Sequence, residues 1–165
     1  MSDAFDDLLA ANTAYADGFS LQGLEPVAAR GLAVLTCMDS RIEPLAMLGL
    51  TPGDAKILRN AGARVTDDVL RTLALGAALL GVTRVLVVPH TRCRMTGEER
   101  DLHAAIAERT GVDTRSLDLR TSSDVRAALL LDLQRIRSWP YLPEGVEVAG
   151  AVYDVDTGRL EPVEG

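Results

Sequence analysis

Arg84-Val85-Leu86-Val87-Val88 is the stretch that decides the fold. It is a continuous apolar run rich in β-branched residues, with Gly81 shortly before it and Pro89 directly after. That pattern belongs to a strand buried on both faces, at the centre of a parallel sheet. An earlier run, Gly31-Leu32-Ala33-Val34-Leu35-Thr36, has the same character, and Thr51-Pro52-Gly53-Asp54 turns the chain into a further short strand over 55–59. A last strand is expected over 146–155, with a turn at Asp156-Thr157-Gly158.

Helical patterns separate these runs. Phe5, Leu8, Leu9 and Ala11 recur at near-helical spacing over 3–17, where Gly18 breaks the pattern. Residues 42–50 suit one or two helical turns. Thr66 with Asp67 and Asp68 predicts an N-terminal cap for a helix to Leu80, with Leu70, Leu73, Ala74, Ala77 and Leu80 on one face and Gly81 as its stop. Further helices are expected over 98–109 and 122–138, the latter capped by Ser122 or Ser123 and striped with Val125, Leu129, Leu133 and Ile136. Strands alternating with helices at this rhythm predict an α/β fold, a doubly wound and mostly parallel sheet flanked by helices. Residues 1–30 read as an N-terminal helical arm and 31–165 as a single α/β domain.

Composition narrows the chemistry. The chain has 165 residues, 24 acidic against 17 basic, for a formal net charge of −7. That balance argues against nucleic acid as a partner, since phosphate binding rests on clustered cations. A hydrophobic fraction of 47% with 25% charged residues matches an ordinary globular domain and excludes a disordered or disulfide-built chain. No apolar run reaches the roughly 20 residues of a membrane span, and the first seven residues are acidic where a signal peptide is basic, so a cytoplasmic protein is expected. In a reducing compartment the two cysteines are buried thiols, metal ligands or catalytic groups rather than a disulfide.

Open α/β sheets bind ligands beyond the carboxyl ends of their strands, where strand order reverses. The first strand ends in Thr36-Cys37-Met38-Asp39-Ser40-Arg41 and the third in Pro89-His90-Thr91-Arg92-Cys93-Arg94-Met95. If the two strands are neighbours, both cysteines and one of only two histidines meet in one crevice. Two thiolates and an imidazole form a soft donor set that favours zinc over magnesium, calcium or manganese, and three ligands leave a position open for chemistry. Asp39 and Arg41 are spaced for a tight turn in which the guanidinium clamps the carboxylate. Read singly, the cysteines also fit inert core thiols, His90 a satisfied core histidine, and Asp39–Arg41 a loop ion pair. Nucleotide-binding glycine motifs do not occur, and Cys37 and Arg41 are too close to frame a phosphatase loop.

Cys37-Met38-Asp39-Ser40-Arg41, Arg59-Asn60-Ala61-Gly62 and His90-Thr91-x-Cys93, in that order and spacing, resemble the β-class carbonic anhydrases, particularly their short bacterial form. The resemblance implies a zinc ion held by Cys37, His90 and Cys93, with an Asp39–Arg41 dyad beside its fourth position. In such a site zinc-bound hydroxide attacks carbon dioxide, and bicarbonate leaves in exchange for water. Asp39 accepts a hydrogen bond from that hydroxide, or ligates zinc itself in a closed state. Gly62 would present a backbone amide to substrate, or serve only to permit a tight turn. The resemblance also implies a homodimer, or a tetramer built from two, in which the N-terminal helix crosses the partner and buries Phe5, Leu8 and Leu9. Tyr15 and Phe19 are then candidates by position to line the cleft.

Two alternatives accompany this reading: hydrolysis of carbon disulfide or carbonyl sulfide at the same zinc, and a non-catalytic zinc-binding dimer. The second rests on Arg92 and Arg94, which flank Cys93 where family members commonly carry a small polar or acidic residue and a glycine. Backbone strain is expected at Arg94, since glycine there permits positive φ. His103, inside a helical pattern, reads as a surface residue and not as a proton shuttle.

Overall fold

The structure, a computed structural model, describes residues 3–165. Five strands form one sheet: β1 (Leu32–Cys37), β2 (Ala55–Asn60), β3 (Arg84–Val88), β4 (Glu147–Tyr153) and β5 (Leu160–Val163), in the order β2-β1-β3-β4-β5. The first four are parallel and β5 runs antiparallel to β4. The helices are α1 (Asp6–Asp17), α2 (Asp67–Leu79), α3 (Glu99–Thr110) and α4 (Val125–Arg137). No helix among the described residues is long and apolar enough to cross a membrane.

All six residues of β1 are buried, because β2 pairs on one side of it and β3 on the other. The chain leaves β1 in one direction and returns on its opposite side, so strand order reverses there. That reversal opens the crevice at the carboxyl ends of β1 and β3. The register aligns Cys37 with Asn60 and Thr36 with Val88.

The pleat divides the core. Ala33, Leu35, Val85 and Val87 join Leu70 and Leu73 of α2 and Leu129, Leu133 and Ile136 of α4 in one cluster. On the opposite face Leu32, Val34 and Val88 are covered by the chain around Met47–Leu50 and by Tyr153 and Leu160. A depression of about 480 Å³ remains open on that face, floored by Leu32, Leu86 and Ala149 and edged by Arg30, Arg84 and Glu147. α1 buries none of its residues, and Phe5, Leu8, Leu9 and Tyr15 stand exposed.

Thr66 caps α2 as expected, its hydroxyl accepting from the Val69 amide at 3.3 Å. Three local readings differ. The helical turns expected over 42–50 reduce to one 3-10 turn, Ala46–Leu48, ended by Gly49 in the left-handed region. α4 starts later than 122 and is capped by Asp124, whose carboxylate accepts from the Arg126 and Ala127 amides at 2.9 and 3.0 Å. Ser122 makes the turn ahead of it, accepting from the Asp124 amide. Asp124→Ala is therefore expected to cost about 1 kcal/mol in a denaturant melt, with Ser123→Ala within about 0.5 kcal/mol of wild type. The segment after Gly158 forms a further strand, β5, closing a hairpin over a turn in which Asp154 accepts from the Asp156 and Thr157 amides. Pro162 weakened its strand pattern, yet proline is tolerated at a sheet edge.

Candidate metal centre

The Thr36 hydroxyl donates to the Val88 carbonyl at 2.8 Å and ties the carboxyl ends of β1 and β3 together. Beyond β3, the Tyr153 amide donates to Pro89 and the Thr91 amide to Tyr153, so His90 is held by continued pairing with β4. His90 is 1% exposed. Its Nδ1 lies 2.9 Å from the Thr91 carbonyl, which can only accept, so Nδ1 carries the proton and Nε2 the lone pair. Nε2 is buried with no hydrogen-bond partner among the described residues. Burial lowers the His90 pKa and keeps the ring neutral at pH 7.

That unpaired nitrogen faces the two thiols. Cys37, His90 and Cys93 offer ligand atoms all within 4.8 Å of one another, and the sulfurs are 3.9 Å apart, too far for a disulfide bond. Burial, with Cys37 alongside, pushes the Cys93 thiol up to about 11. A bound dication reverses that cost by stabilising both thiolates. A buried unpaired imidazole lone pair beside two thiols thus fits a soft divalent ion, and the group can hold a metal.

Around it Asp39 and Arg41 are paired. Arg41 clamps Asp39 in a fork, Nε to Oδ1 at 2.9 Å and Nη2 to Oδ2 at 2.7 Å, while the Arg41 amide donates to Oδ1 at 3.0 Å. These bonds hold the Asp39 carboxyl well below the usual carboxylate range. Asp39 Oδ2 is 3.7 Å from His90 Nε2, so the carboxylate borders the metal group. Arg41 also donates to the Arg92 carbonyl, joining the loops after β1 and β3. Arg59 donates to the carbonyls of Cys37 and Asp39 at 3.0 and 2.7 Å. The sequence reading gave Arg59 no role, although its place beside Asn60-Ala61-Gly62 marked it.

The Gly62 amide is directed at the Cys37 sulfur, 3.3 Å away. Its φ of 80° is the left-handed region, which favours glycine, and a Cβ there would press on the Met95 Cβ at 3.3 Å. The strain expected at Arg94 falls instead on Arg92, with φ of 52°; Arg94 is not in the left-handed region. The loop turns two residues earlier than the glycine position suggested. Arg92 is steadied there by Asp156 and by the bond from Arg41 to its carbonyl. Arg94 is exposed and lines, with Met38, Asp39, Arg41, Cys93 and Met95, an open depression of about 470 Å³ over the metal group.

His103 is not the free surface residue expected. Its side chain is 11% exposed, with Nδ1 2.9 Å from Thr114 Oγ1 and Nε2 3.5 Å from a Glu99 oxygen. None of these residues lines the metal-group depression. Tyr15 and Phe19 pack edge to face on each other, centroids 5.7 Å apart, and neither borders the metal group within the chain.

The family model for carbonic anhydrase matches residues 32–160. Among characterised relatives, beta-carbonic anhydrase 1 of Mycobacterium tuberculosis is 37% identical over 160 residues, covering 96% of each chain. A carbon disulfide hydrolase of Acidianus sp. (strain A1-3) is 35% identical over 156 residues, covering 79% of this chain and 76% of the relative. Among solved structures, a carbonic anhydrase from Streptococcus mutans superposes with a TM-score of 0.91 at 36% identity, covering 99% of both chains.

Proposed function

The chain belongs to the β-carbonic anhydrase family, and from that premise we propose that it catalyses the zinc-dependent, reversible hydration of carbon dioxide to bicarbonate and a proton. The observation that carries this reading is the convergence of Cys37, His90 and Cys93 beside an Asp39 carboxylate already committed to Arg41. Zinc held by Cys37, His90 and Cys93 would supply Lewis acidity enough to lower the pKa of a water to about 7.

The chain's own residues do the rest. His90 presents Nε2 because Thr91 holds the proton on Nδ1. Asp39, kept ionised by Arg41, acts only as an acceptor. It accepts a hydrogen bond from the O–H that remains on the attacking hydroxide, whose other proton has left to solvent, and turns an oxygen lone pair toward the carbon of substrate. Arg59 fixes the backbone of both Cys37 and Asp39, so ligand and acceptor keep one geometry. Gly62 contributes through its amide on the Cys37 sulfur.

Zinc analysis followed by stopped-flow hydration across pH tests the reading. Stoichiometric zinc and a rate that rises through about pH 7 are expected. Zinc-loaded protein that hydrolyses carbon disulfide but leaves carbon dioxide untouched would favour the activity named for the Acidianus relative. Absence of zinc would overturn both. Zinc-loaded protein that acts on neither substrate would favour the non-catalytic dimer, for which exposed Arg94 over the metal group is the supporting feature, while Arg92 is paired with Asp156.

The reading includes a homodimer. Exposed Phe5 just before α1, Leu8 and Leu9 on it, and the open depression on one sheet face are apolar surfaces that a second copy would cover. Sedimentation is expected to give a dimer, or a tetramer of two. Leu8→Asp with Leu9→Asp should shift it toward monomer at micromolar concentration, and an unchanged assembly would exclude α1 from the interface.

A further inference from the structure

We propose that Asp132 and Arg64, a buried pair outside the ligand set, are positioning residues that hold the Gly62 amide on the Cys37 sulfur. The inference rests on the zinc reading above. Gly62 lies within a loop bracketed by Asn60, whose side chain donates to the Arg64 carbonyl at 2.7 Å and accepts from the Arg64 amide at 2.9 Å. The loop is closed on itself by these bonds, and the Met38 amide donating to the Asn60 carbonyl at 2.9 Å ties its first residue to β1, so its far end needs an anchor of its own.

The Arg64 side chain supplies that anchor. Its Nε donates to Asp132 Oδ2 at 2.6 Å, Nη2 approaches Oδ1 at 3.4 Å, and Nη1 donates to the Arg120 carbonyl at 2.6 Å. Asp132 is 4% exposed and sits in α4 between Leu129 and Leu133, both in the main core. A carboxylate at such a place is expensive to desolvate, and an apolar side chain would pack there more simply. The pair therefore calls for a role beyond stability. Gly62, Arg64, Cys93, Met95 and Asp132 also wall a cavity of about 30 Å³, with room for a water or two. Without the anchor that space is slack into which the loop can shift, and an amide already at 3.3 Å from sulfur would lose its bond.

An amide on a metal thiolate withdraws charge from the sulfur and fixes its lone-pair direction, and partners of this kind tune metal affinity about 10- to 100-fold. Asp132 acts one link further out, so a smaller effect is expected. The test uses the full chain in its cobalt-substituted form, read by the thiolate-to-cobalt charge-transfer band, with zinc affinity from chelator competition. Asp132→Asn should displace the band and weaken zinc binding about three- to tenfold. The double variant Arg64→Leu/Asp132→Leu leaves no unpaired buried charge and should show the same displacement; should Asp132→Asn fail to fold, the double variant decides. Asp67→Asn, which breaks the neighbouring exposed Arg135 pair and leaves the 60–64 loop intact, should leave band and affinity as in wild type. Folded variants with an unmoved band and zinc affinity within about twofold of wild type overturn the proposal alone. A wild-type chain that binds neither metal overturns the zinc reading and this proposal with it.

Discussion

Cys93→Ala is expected to leave the protein with only traces of zinc and to slow carbon dioxide hydration by at least about a thousandfold. Removing one of three ligands takes away both a charge and the geometry that closes the site. The thiol is half-buried and resists ionisation without a metal, so its loss leaves no orphaned charge in the fold. The metal-free variant should then melt close to the metal-free wild type. Zinc, by contrast, should stabilise only the wild type, by about 2.7 kcal/mol at a free concentration a hundred times its dissociation constant. Calorimetry with and without zinc separates the two effects. Retained stoichiometric zinc would remove Cys93 from the ligand set.

Asp39→Asn should retain zinc and lose about a hundredfold in turnover. The substitution keeps the shape but exchanges one acceptor for a donor, and it releases Arg41 from its fork. Stopped-flow rates with zinc content measured on the same sample check it; an unchanged rate would dismiss Asp39 from the mechanism. The same variant carries a pH signature. Because Arg41 depresses the Asp39 pKa, the folded state binds that proton less readily than the unfolded chain. The resulting stability is fully present above about pH 4 and is lost as pH falls further toward the folded value. The gap in melting temperature between wild type and Asp39→Asn should therefore be constant at neutral pH and narrow in acid. No limb of the neutral pH–rate profile should belong to Asp39.

The meeting of Cys37, His90 and Cys93 was legible because each of them sits where a strand pattern ends. Continuous apolar runs announced β1 and β3, and His90 three residues before Cys93 announced a donor pair. Other features carried no such signal. Asp124 lay among three short polar residues, any of which can cap, and the geometry of the turn chose the carboxylate. β5 is four residues long with a proline at a sheet edge, below the length at which alternation can be read. Arg64 and Asp132 are separated by 68 residues, and nothing in either neighbourhood points to the other.

Local pattern by itself thus determined the α/β class, the order of strands and helices through β4, and the residue types available to bind a metal. Periodicity and punctuation report the environment of each segment, and donor chemistry is a property of the side chain wherever it lies. Only the tertiary structure decided that the ends of β1 and β3 meet, that the His90 proton sits on Nδ1, and that Arg92 rather than Arg94 takes the left-handed backbone. It also decided which arginine serves which acceptor. These are relations between distant parts of the chain, such as two sulfurs 56 residues apart brought to 3.9 Å, and they exist only once strand order and register are set.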